Sequence, residues 1–174
     1  MRLGGFGHPG DGGFTVIEAI MVVVLLAILA AAVLIQNPIE KIRLNGAAEK
    51  VKSDIRYARK LAVSSGSTTS INFTSAGYRV YAISNSVLAS STGEACSTDA
   101  TGKFVVDFTA ARCGELAGIT ISYSPADGIV GFDSLGTPLD SSGVEFSSQQ
   151  TVTVNGDAGS KTITIDEQTG RVSD

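Results

Sequence analysis

From Ala19 to Ile35 the chain carries no charged or polar side chain. One carboxylate, Glu18, stands at the head of this run, and the next charge is Glu40. About 20 apolar residues in a row suit a bilayer and suit almost no surface helix. The segment 14–35 is therefore expected to cross a membrane, with lipid as its first partner. An acid placed there is costly, about 2.5–3.5 kcal/mol at mid-bilayer and less near the interface. Such a charge calls for a partner. If the chain is cut after Gly13, Phe14 gains a free amine one helical turn before Glu18. Ala27, Ala30, Ala31 and Ala32 would let a second helix approach closely.

Residues 1–13 read as a leader. Gly4-Gly5-Phe6-Gly7-His8-Pro9-Gly10 cannot hold regular structure. Gly5, Gly7 and Gly10 match a dinucleotide-binding spacing, but no strand precedes them and no βαβ unit follows. A secretory signal would be cut after its apolar segment, whereas here the cut would precede it, so the anchor is kept.

Asn37-Pro38 then interrupts the helix. Residues 36–65 form an amphipathic second half. Ile42, Ala48, Val51, Ile55, Ala58 and Ala62 trace one stripe, with basic residues on the opposite face. Ser64-Ser65-Gly66 is a stop signal. A continuous stem from Phe14 to Ser65 would run about 75–80 Å. Between Gln36 and Ser65 seven basic residues face three acidic ones. They either meet acidic surfaces of neighbouring subunits or form a solvated face.

Residues 66–174 hold five basic and twelve acidic side chains. A surface this acidic repels nucleic acid. Strand signals fall at Ser70–Phe73, Tyr78–Ile83, Lys103–Phe108, Ile119–Tyr123 and Ile129–Asp133. Thr151–Val154 and Lys161–Ile165 form a hairpin through Asn155–Gly159. The only cysteines, Cys96 and Cys113, lie in the polar half. They are two thiols or one disulfide. Export across a membrane favours the disulfide, which would contribute about 3 kcal/mol.

The segment Gly13-Phe14-Thr15-Val16-Ile17-Glu18 resembles the processing site of type IV prepilins and type II secretion pseudopilins. That resemblance implies cleavage between Gly13 and Phe14 by a prepilin peptidase, N-methylation of Phe14, and pairing of Glu18 with a neighbouring subunit's terminal amine. Tyr57–Gly66, Ser70–Phe73, Gly77-Tyr78, Thr162–Asp166 and Gly170-Arg171-Val172 are similar to the GspH/FimT group of minor pseudopilins. The fold implied is α+β and pilin-like: a long N-terminal helix, half transmembrane and half amphipathic, packed on a C-terminal antiparallel β-sheet domain. The function implied is structural, a minor pseudopilin of a type II secretion pseudopilus. Its partners would be other pseudopilins or pilins and an inner-membrane assembly platform. The alternative is a minor type IV pilin in motility or DNA uptake. A lone Arg171 at the C-terminal end makes a poor phosphate track. The positive-inside balance alone would leave the C-terminal domain in the cytoplasm. The family topology puts it in the periplasm, and the processing motif and cysteines favour that arrangement.

No cofactor, metal or enzymatic role is expected. The single histidine, His8, lies in the leader, and two cysteines cannot complete a cluster. Serines lack a G-x-S-x-G elbow and a histidine partner. Asp127, Asp133 and Asp140 could approach a cation, but turn stabilisation is the plainer role.

Overall fold

Seven side chains on one helix organise the β-rich part of this chain. They are Leu44, Ala47, Ala48, Val51, Ile55, Ala58 and Ala62, all buried. The computed structural model describes residues 15–34, 38–81, 104–109, 116–124 and 127–174. These form two compact units, Met1–Asn37 and Pro38–Asp174. The first contains helix α1, Val16–Leu34. The second contains helix α2, Pro38–Ser65, and all the strands.

Both ends of α2 follow from its residues. Pro38 takes the first helical position, where its missing N–H costs no bond and its φ is already helical. At the other end Gly66 has a φ of 65°, which side-chain-bearing residues rarely adopt. The Ser67 N–H then reaches back to the Ala62 carbonyl at 3.1 Å. That is the bond of a Schellman close, so the helix stops where the serine-glycine signal predicts.

The predicted stripe needs one correction. Val51, Ile55, Ala58, Ala62 and Ala48 are buried, but Ile42 is 69 % exposed. Leu44 and Ala47 take the place it was given. At 100° per residue Ile42 lies nearly opposite Val51, so it cannot share a face with it. A spacing of six from Ile42 to Ala48 is not a helical repeat.

Two antiparallel sheets meet this stripe, where the sequence reading anticipated one sheet domain. The first runs β3-β2-β1-β5-β6 and the second β4-β7-β8-β9. In the first, β1 (Thr69–Thr74) lies between β2 (Gly77–Tyr81) and β5 (Ile129–Phe132), with β3 (Val105–Asp107) and β6 (Pro138–Leu139) at the edges. Alternation sets the register: Ile71 stands opposite Val80 and Val130, and all three are buried. The second sheet is built on β7 (Gln150–Gly156) and β8 (Gly159–Ile165), flanked by β4 (Thr120–Ser124) and β9 (Val172–Ser173). Its inward residues are Ile121, Val152, Val154, Ile163, Ile165 and Val172. The β7–β8 turn closes on the Gly156–Gly159 pair, with Asp157 and Ala158 at its tip.

All seven predicted strands are present with their ends moved by up to two residues, β1, β7 and β8 being longer than expected; the predicted ends Ala82–Ile83 and Lys103 lie outside the described residues. Two were not anticipated. β6 and β9 are each two residues long, too short for a period-two pattern to register.

Aromatic rings fill the space next to α2. Phe73 and Tyr78 lie 5.8 Å apart between ring centres, and Tyr78 meets Phe108 edge-on at 6.3 Å. Tyr57 stacks on Phe104 at 5.7 Å. Gly77 lets β3 come close: a Cβ there would fall 2.0 Å from the Val106 carbonyl oxygen.

Truncating Ile55 to alanine should destabilise the folded chain by about 2–5 kcal/mol, because the side chain is fully enclosed. The same truncation at Ile42 should change stability by less than about 0.5 kcal/mol. Urea unfolding of both variants measures the difference, and equal effects would contradict the assigned helix face.

Candidate functional site

The amino end of α1 is capped by the residue before it. The Glu18 N–H lies 3.0 Å from the Thr15 carbonyl oxygen and 3.4 Å from Thr15 Oγ1. Thr15-Val16-Ile17-Glu18 therefore reads T-x-x-E, the spacing of a capping box. Sequence reasoning fixed on the carboxylate and passed over this signal, although threonine three residues before glutamate marks a helix start. Glu18 is exposed in the first turn, where the helix dipole favours a negative charge. Gly13 and Phe14 lie outside the described residues, as do Cys96 and Cys113.

The side of α1 is as distinctive as its end. Val16, Ile17, Ile20 to Leu26, Ile28 and Leu29 are all exposed, none less than 48 %. Ile20 to Leu26 are consecutive, so the apolar surface goes right round the helix. Burying any one of these side chains would gain about 1.5–3 kcal/mol. α1 has 19 residues, about 28 Å at 1.5 Å per residue, against about 30 Å of bilayer hydrocarbon. No helix among the described residues is long and apolar enough to cross a membrane. The span 14–35 expected from sequence includes Phe14 and Ile35, which lie outside the described residues.

Lys41 and Lys60 are exposed, but four of the seven basic residues of α2, Lys50, Lys52, Arg56 and Arg59, flank the stripe and bond within the domain. Lys52 bonds Glu49 at 3.3 Å and Asp174 at 2.6 Å. Lys50 meets Asp54 at 3.2 Å. Arg56 donates to the Val172 carbonyl at 2.8 Å, and Arg59 to that of Gly136 at 3.2 Å. Periodicity separates apolar from polar positions on a helix. It does not report how far a long side chain bends from the flank.

Asp54 is itself buried, and the hydroxyl of Tyr78 on β2 donates to its carboxylate. A buried charge needs such donors. Helix and sheet are thus joined by a charge-assisted bond as well as by apolar contact.

The C-terminal motif forms one turn and one short strand. Asp166 Oδ1 accepts from the N–H and hydroxyl of Thr169, at 2.8 and 2.6 Å. Those bonds, the hydroxyl's first, hold the Asp166 carboxyl below its ordinary range. Gly170, with a φ of 60°, turns the chain into β9. A Cβ there would lie 2.2 Å from the Gly136 carbonyl oxygen and 3.1 Å from Arg59 Nε. At Gly136, φ 85°, a Cβ would stand 2.9 Å from the same nitrogen. Both glycine loops thus lie against the Arg59 side chain, and the Gly136 carbonyl accepts its Nε–H.

The other candidate acids serve local turns. Asp133 Oδ1 accepts from the N–H groups of Leu135 and Thr137, at 2.9 and 2.7 Å. Asp140 Oδ1 does the same for Ser142 and Val144, and Asp127 for Ile129. No group of three metal-ligating side chains occurs among the described residues. A cleft of about 390 Å³ over the outer side of β1 is lined by Thr68, Ser70, Asn72, Tyr81 and Asp140, without a base-and-nucleophile pair.

A helix-spined, two-sheet α+β domain accompanies an apolar helix, and this is the architecture of a pilin-like structural subunit. The chain belongs to the GspH family: the model of that family, described as type II transport protein GspH, matches residues 47–169. No curated protein matches the chain. Among solved structures it is similar to the type IV minor pilin FimU of Pseudomonas aeruginosa, seen in two crystal forms, at 22 % identity and a TM-score of 0.48. One match covers 77 % of this chain and 89 % of that one, the other 75 % and 90 %.

Two measurements check this region. Tyr78→Phe removes a donor to buried Asp54 and should cost about 1–3 kcal/mol in urea unfolding. Thr169→Val should move the Asp166 pKa upward in a carboxyl NMR titration. A carboxyl held low contributes stability that is complete above its ordinary pKa and fades as pH falls through the depressed value. The Thr169 variant should show less of that acid-side loss.

Proposed function

We propose that this chain is a minor pseudopilin of a type II secretion system, made as a membrane-anchored precursor and used as a filament subunit. The observation that carries the reading is α1, an apolar surface on all sides with one carboxylate in its first turn. In the precursor the segment 14–35 lies in the inner membrane as a single span, with the C-terminal domain in the periplasm. A prepilin peptidase cuts between Gly13 and Phe14, and Phe14 is N-methylated. An assembly platform then moves the subunit from lipid into a bundle of related helices. The same side chains stay dry throughout, so the transfer exposes little apolar surface to water.

Glu18 gives that transfer its register. A carboxylate among apolar side chains is stable when a cation lies beside it, and the amine of a neighbouring Phe14 supplies one. The description of the matching family as a type II transport protein favours the secretion system over a type IV pilus. The role is mechanical, and a disulfide between Cys96 and Cys113 would suit the periplasmic setting.

Mass spectrometry of the native protein should find a methylated Phe14 as first residue, and an intact Met1 would overturn the reading. Glu18→Ala should insert in the membrane at the parental level but drop out of sheared filaments by tenfold or more. Normal incorporation would remove Glu18 from the assembly step. Deleting the gene should block protein secretion and leave pilus-driven motility intact, and the reverse pattern would assign the subunit to a type IV pilus.

A further inference from the structure

Three guanidinium groups converge on one notch of the β-domain. Arg56, Arg59 and Arg171 line an open cavity of about 300 Å³ together with Gly170 and Val172. Two of the three are held from behind. Arg56 spends one N–H on the Val172 carbonyl, and Arg59 spends Nε–H on the Gly136 carbonyl. A guanidinium has five N–H donors, so most of these remain unspent. Arg171, the third, is exposed on the loop that Gly170 creates. Among the described residues no carboxylate pairs with any of the three. Asp166 and Asp174 lie near enough to feel Arg171 and Arg56 but do not contact them.

The seating of Arg59 makes this a built feature. Gly136 and Gly170 stand on two separate loops that both lie against Arg59: a Cβ at Gly136 would come 2.9 Å from Arg59 Nε, and one at Gly170 3.1 Å from it. Fixing a long side chain beforehand removes part of the ordering cost that binding would otherwise carry. The fork of a guanidinium also matches the two oxygens of a carboxylate.

We infer that the Arg56–Arg59–Arg171 notch is a docking site for an acidic segment of a partner protein, which inserts an aspartate or glutamate carboxylate between the guanidiniums. A nucleic acid fits the notch less well. Duplex binding neutralises several phosphates along a track. Here the positive charge is confined to one concave spot, with Asp166 and Asp174 near its arginines. The choice of a protein partner rests on the filament-subunit reading. The notch itself does not, and its test leaves the processing of Phe14 aside.

The full chain in detergent micelles, titrated at low ionic strength with a fluorescent hexaglutamate peptide, should show saturable, salt-sensitive binding. Arg171→Gln, whose side chain is exposed, and Arg59→Gln should each weaken it about tenfold, the scale of one charge-assisted pair. Lys41→Gln, exposed on the same helix, should leave it unchanged. Thermal unfolding of Arg171→Gln should match the parent, which keeps the comparison free of folding effects. No peptide binding, equal binding by Arg171→Gln, or tighter binding of a short DNA duplex than of the peptide would each overturn the inference.

Discussion

Everything in the β-domain depends on the close seating of α2 between two sheets that pair little with each other. Four of its seven buried stripe positions are alanine. Alanine keeps the helix axis near the strands, and Val51, Ile55 and Leu44 fill the gaps that remain. Without this stripe, Ile71, Val80 and Val130 on one side and Val152, Val154 and Ile163 on the other would face water. Most of the stability of an amphipathic helix comes from packing its apolar face, and the two sheets supply that packing. The polar bonds from α2 to Tyr78, Val172, Gly136 and Asp174 add direction to that packing. They fix which way the helix lies, something apolar contact alone does poorly.

The two helices meet opposite demands. α2 buries a narrow stripe and keeps charge on its flanks, whereas the described side chains of α1 past Glu18 are apolar and exposed right round the helix. A chain that carries both keeps the element that specifies the β-domain fold apart from the element with the all-round apolar surface. Membership of the GspH family fits this division, since the family match begins at residue 47, past α1.

Much of this was legible in the residues themselves. Strong period-two runs such as Thr151–Val154 and Lys161–Ile165 announced β7 and β8, because a half-buried strand must alternate. Gly66 announced the end of α2, because only a positive φ closes the helix there. Two kinds of feature stayed hidden. Strands of two residues carry no period, so β6 and β9 were invisible, and with them the division into two sheets. The notch was hidden as well, since Arg56 and Arg59 on α2, Gly136 and Gly170–Val172 are brought together only by tertiary packing. Ile42 shows a third failure: an apolar residue on a helix was assigned to the core because it was apolar, against its angle.

The seating of Arg59 has a mechanical side. Its side chain leaves α2 and lies between two backbone loops, one after β5 and one before β9, which belong to different sheets. With Arg59 bonded to the Gly136 loop of the first sheet and Arg56 to Val172 of the second, one helix carries polar ties to both sheets, so a load on α2 is shared between them.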